Sequence, residues 1–100
     1  MYMEEIDLLL RARKKGYVTY FYPRSLIVHV GSGSSTNKRK GPVLNIYKGY
    51  TYIYTKHYSH VELVILKIML KAKAVISWTI GMVFGNAYLK ETYAEAYQLV

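Results

Sequence analysis

Three carboxylates stand close together near the start of the chain, Glu4, Glu5 and Asp7, and a histidine, His29, precedes a run of small residues from Gly31 through Gly33, Ser34 and Ser35. Neighbouring carboxylates can divide labour: one accepts a proton from a hydroxyl nucleophile while another is held as a structural ion pair. Asp7 and Arg11 have the i, i+4 spacing that such a pair needs on a helix. His29 can bind a metal or donate to a diphosphate. The backbone N–H groups of a small-residue loop can meet an anion, with Lys38, Arg39 and Lys40 adding positive charge. Taken singly, each feature has a plainer reading, since acids favour helix starts and Gly/Ser loops mostly connect. It is their order within one stretch, 1–35, that points to a phosphorylated ligand. No P-loop, dinucleotide fingerprint or serine or cysteine nucleophile scheme is present. His57 and His60 are three apart with only Glu62 nearby, and read as surface or interface histidines.

These groups need elements to position them. Glu4 to Lys15 predicts a helix: Ile6, Leu9, Leu10 and Arg13 form a narrow stripe, acids fill the first turn and bases the last, and Gly16 stands where a glycine ends a helix. Tyr17–Tyr22 and Ser25–Val30 read as two strands around a Pro23-Arg24 turn. Leu26-Ile27-Val28 is continuously apolar, as in a strand covered on both faces, so this pair expects a larger sheet beside it. After the Gly31–Pro42 loop, Val43 to Tyr58 predicts a helix with a stripe of Leu44, Tyr47, Tyr50, Tyr54 and Tyr58. That stripe is a stacking surface for sugars or bases, or simply packing, and packing is the plainer reading. Val61–Lys73 and Ala74–Tyr88 read as an apolar helical hairpin, lying at a bilayer surface or, equally, forming a buried helix pair or an oligomer interface, and the tail from Lys90 as a short helix. The expected class is α+β: an N-terminal helix, a short strand pair, then three to four helices, the later ones strongly apolar. The segments divide as 1–42, 43–60 and 61–100.

Charge narrows the partners. The net charge is +8, and between Asp7 and Glu62 there is no acid but ten lysines and arginines, from Arg11 to Lys56. So one-sided a middle implies an anionic partner: a phosphorylated ligand, anionic lipid or nucleic acid. No nucleic-acid motif is present, so nucleic acid is not favoured. Cysteine is absent, which excludes disulfides and thiolate metal sites. The longest uncharged stretch, Ala74–Leu89, falls short of the ~20 residues that a spanning helix needs, and favours an interfacial location.

With these residues in view, the opening resembles the C-terminal half of family 2 glycosyltransferases of the GT-A fold, particularly the rhamnosyltransferase-like branch. Those enzymes carry a run like MYxEDxDLxxRxRxxGY, then a proline turn, then IxHxGGGSS. Met1, Tyr2, Glu4, Glu5, Asp7, Leu8, Arg11, Arg13, Gly16, Tyr17, Pro23, Ile27, His29, Gly31, Gly33, Ser34 and Ser35 follow it. The resemblance is dense to Ser35, loose through the tyrosine helix and only compositional beyond His60.

It implies a fragment of a GT-A α/β fold and an inverting, nucleotide-sugar-dependent transfer to a hydroxyl of a glycan or lipid-linked glycan. Glu5 takes the position of the catalytic base, with glutamate where the family has aspartate. Glu4, Asp7 and Arg11 frame the acceptor end. His29 lies near the metal or the diphosphate, beside Gly31, Gly33, Ser34 and Ser35. Lys48 occupies the region of the family's Arg-Asn pair. A divalent Mg or Mn ion is expected only together with the nucleotide-binding half. The Asp-x-Asp motif of that half occurs nowhere in this chain.

Met1 falls on the methionine inside the motif. The expectation is therefore a truncated or split reading frame, inactive alone, with a separate chain carrying the N-terminal half in the split case. The location implied is cytoplasmic, peripheral at the inner face of the cell membrane. The competing expectation is a small basic protein without catalytic activity, bound at a membrane surface or to nucleic acid.

Overall fold

The computed structural model describes residues 3–26, 28 and 40–100. Four helices follow one another: α1 Glu4–Lys14, α2 Lys40–His57, α3 His60–Val83 and α4 Ala87–Gln98. Among the described residues there is no strand, so the chain is all-α rather than α+β.

The expected strand pair is thus corrected. Tyr17–Tyr22 runs without regular structure, Pro23 and Arg24 form a turn, and Ser25 Oγ donates to the Tyr22 carbonyl at 3.2 Å. Phe21 is 90% exposed and Leu26 94%. Two short strands are marginal without a third strand or a helix to cover them. Residues 40–100 supply only helices, so β-propensity here has no sheet to act on. Ile27, His29 and Val30 of the second expected strand lie outside the described residues.

α1 forms where the sequence places it. Its end is a full Schellman motif: Gly16 adopts φ +85°, its N–H donates to the Arg13 carbonyl at 3.0 Å, and the Tyr17 N–H donates to the Ala12 carbonyl at 3.1 Å. No residue of α1 is buried, and of the other helices it touches α2 alone.

The remaining helices make the packed body. Tyr47 of α2, Leu70 and Ala74 of α3, and Ala96 of α4 form the core, flanked by Leu44, Leu66 and Tyr93. Tyr47 is 1% exposed, its hydroxyl donates to the Leu70 carbonyl at 3.3 Å, and its ring meets Tyr93 edge to face at 6.4 Å. Burial, and Tyr93 beside it, push the Tyr47 phenol up. Tyr54 and Tyr58 stack on each other at 4.4 Å. Part of the tyrosine stripe is therefore packing.

The expected break between Lys73 and Ala74 does not occur. Ala72, Lys73 and Ala74 are all good helix formers, and α3 runs on to Val83. A capping box opens it: Ser59 accepts from the Glu62 N–H, and Glu62 accepts from the Ser59 N–H at 2.8 Å. The hairpin turn falls instead at Phe84–Asn86, where the Asn86 N–H donates to the Gly81 carbonyl at 2.8 Å. There α3 and α4 come so close that a Cβ on Gly81 would lie 2.7 Å from the Lys90 backbone nitrogen. Among the described residues no helix is long and apolar enough to cross a membrane.

Candidate functional site

α1 sorts its acids by face. Asp7, Leu10, Arg11 and Lys14, at i, i+3, i+4 and i+7, share the side that meets α2, and Glu5 lies away from it. Glu5 is exposed. Asp7 is the hub of a polar junction. Arg11 Nε donates to its Oδ2 at 3.0 Å, Lys56 Nζ lies 2.9 and 3.1 Å from its two oxygens, and His57 Nε2 lies 2.7 Å from Oδ1. The hydrogen bonds from His57 and Lys56, with the charges of Lys56 and Arg11, hold the Asp7 carboxyl down at about 2. Reciprocally, the Asp7 and Tyr52 oxygens raise the Lys56 ammonium above its ordinary value.

His57 is 4% exposed at its side chain. Its Nδ1 lies 3.2 Å from Lys14 Nζ. An ammonium has only protons to give, so Nδ1 accepts and Nε2 carries the hydrogen directed at Asp7. The imidazole thus bridges a carboxylate and an ammonium, both on α1.

The other stripe of α1, Ile6, Leu9, Leu10 and Arg13, lines an apolar groove of about 590 Å³ closed by Gly16, Tyr17, Val18 and Thr19. These four α1 residues are the stripe that periodicity picks out. Beside it, Leu8, Arg11, Ala12, Lys14, Lys15 and Tyr17 line a second hollow of about 530 Å³.

Asp7 and Arg11 are therefore brought together, as their spacing predicts. Glu4 and Glu5 remain on the exposed surface of α1. Lys48 is exposed on α2 and belongs to neither the junction nor the groove. His29, Gly31, Gly33, Ser34 and Ser35 lie outside the described residues. Lys14, Lys56 and His57 are the junction members that sequence reasoning missed. One signal pointed to them: Asp7 is the only acid that the basic middle meets before Glu62. His57 stands between α1 and α2, held by the Asp7 carboxylate.

A divalent cation fits these residues poorly. Among the described residues no three His, Cys, Asp or Glu side chains gather to hold a metal. At the Asp7–His57 pair a cation would meet Lys14, Lys56 and Arg11, and both carboxylate oxygens are already engaged.

Compared with protein-family profiles, with curated proteins and with solved structures, the chain matches none, so the reading of the site rests on its own residues.

Proposed function

We propose that the chain supplies the acceptor side of an inverting, nucleotide-sugar-dependent glycosyltransferase. The observation that carries this reading is the division of the α1 acids: Asp7 is tied to Arg11, Lys56 and His57, while Glu5 stands exposed on the same helix. A tied acid sets the geometry, and an exposed one can reach a substrate. The resemblance of 1–35 to family 2 glycosyltransferases supplies the chemistry. Glu5 accepts the proton of an acceptor hydroxyl, the oxygen attacks the anomeric carbon, and the bond from that carbon to the diphosphate breaks with inversion. The nucleoside diphosphate leaves, and the new glycosidic bond forms on a glycan or lipid-linked glycan.

In this proposal the nucleotide-sugar and any Mg or Mn ion are bound by a further segment or a separate chain. His29 and the Gly31–Ser35 run meet the diphosphate. The place of work is cytoplasmic, peripheral at the inner face of the cell membrane.

The test uses membranes from cells in which the chain is deleted and then restored. Transfer of labelled sugar into lipid-linked glycan falls on deletion. It returns with the wild-type chain and not with Glu5→Gln. Unchanged incorporation after deletion would sink the reading. The isolated chain is expected to show no turnover. Turnover with Mg or Mn that Glu5→Gln abolishes would confine the site to these residues alone and refute the need for a second half.

A further inference from the structure

Among the described residues, one face of α3 is left without a partner. Leu70, Ala74 and Gly81 turn towards α4 and α2 and are buried. On the opposite side Val61, Ile65, Ile68, Ile76 and Val83 fall in one line and are all exposed. With Val64 at one edge and Ile80 at the other, also exposed, the apolar surface covers roughly 160° of the helix. It extends for about 33 Å at the usual rise per residue. Lys67 and Lys71 border it on one flank, the Lys71 ammonium 5.1 Å from the centre of the Tyr97 ring of α4, and the exposed Lys73 borders it on the other. Trp78, the only tryptophan, lies on the Lys67 and Lys71 flank, half-exposed beside Tyr97 and Ala94 of α4, and Phe84 is exposed just past the end of the surface.

We propose that this face of α3 lies flat on an anionic bilayer surface, its aliphatic line in the acyl boundary and its lysines at the headgroups. The charges choose between a membrane and a second copy of the chain. Two copies joined face to face would set Lys67, Lys71 and Lys73 against the same residues. The single acid of α3, Glu62, is already engaged by Ser59 at 2.6 and 2.8 Å, and would answer none of them. An anionic headgroup layer answers all of them. The width of the surface agrees, being broader than the two-residue seam along which helices zip together. The lysines on its flanks, midway along the helix, suit a helix lying in the interface plane and not one passing through it.

The proposal rests on the membrane placement given above and not on sugar transfer. A chain that fails to bind vesicles can still restore transfer in membranes, and an inactive chain can still bind.

The full chain is mixed with vesicles of phosphatidylcholine containing phosphatidylglycerol, and with phosphatidylcholine alone, then floated. Trp78 emission gives a second readout. The expected result is flotation and a blue-shifted Trp78 with the anionic vesicles only, with quenching by brominated acyl chains. Each Lys→Gln change at 67, 71 or 73 lowers partitioning about fivefold. Ile68→Gln combined with Ile76→Gln lowers it more than tenfold while circular dichroism stays unchanged, because both side chains face outward. Three outcomes would overturn the proposal: no flotation with anionic vesicles, flotation indifferent to the isoleucine changes, or a dimer in sedimentation equilibrium that those changes dissociate.

Discussion

Thr92 is fully buried between the helices, and its hydroxyl has no hydrogen-bond partner among the described residues. A buried hydroxyl left unpaired costs about 1–3 kcal/mol relative to one in water. Thr92→Val keeps the shape and removes the polar atom, so it is expected to raise stability by about 1 kcal/mol, read as a higher urea midpoint with unchanged slope. Asp7 makes the opposite case, because its carboxylate is over-supplied with donors. Its carboxyl lies at about 2, below an ordinary value of 3.8, so the folded state favours the charged form. The junction is therefore at full strength above the ordinary value and weakens as acid carries the pH from there down through about 2. Asp7→Asn is expected to abolish that dependence and to leave α1 loosened at every pH, as followed by the His57 ring resonances. The Asp7–Arg11 half of this contact was legible, because four residues on a helix is a local rule. The Lys56 and His57 half was not. They lie some fifty positions away, and only the packing of α1 on α2 brings them near.

Turn chemistry explains most of what was readable in the elements. Gly16 and Gly85 both close helices in left-handed backbone, at φ +85° and +64°. The first of these endings was legible from a basic last turn followed by glycine. The second was not, since Gly81 and Gly85 read as a small-residue pair four apart. They turn out to do different things: Gly85 ends α3, while Gly81 lets α4 approach. Gly81→Ala is expected to cost about 1–3 kcal/mol by overpacking, because the atom it meets at 2.7 Å is backbone nitrogen and cannot rotate away. Thermal unfolding checks this, and Gly41→Ala, where a Cβ meets nothing within 4 Å, is its control. The β-branched and aromatic content of Tyr17–Val28 misled for a physical reason. β-propensity measures the fit to neighbouring strands, and among the described residues Tyr17–Leu26 and Val28 have none beside them. The same exposed apolar residues that make the strand reading fail are what a partner segment would cover.

At the scale of the molecule, two kinds of attachment coexist. α2, α3 and α4 are joined by buried side chains, with Tyr47 tied to the Leu70 backbone and Lys40 paired with Glu91 at the rim. α1 buries nothing, and its hold on α2 is the junction of Asp7 and Lys14 with Lys56 and His57. Backbone amides should report the difference. Those of α3 and α4 are expected to exchange with deuterium only through global unfolding, while those of α1 exchange through a local opening of much lower free energy. Added salt should widen the gap, because it screens a half-exposed ionic contact more than a core. Uniform protection across all four helices would contradict this. The helix with the weakest hold is also the one that bears Glu5. Whatever settles against α1 must therefore supply ordering energy as well as contacts, and its apparent affinity is the intrinsic one reduced by the fraction of time that α1 is docked.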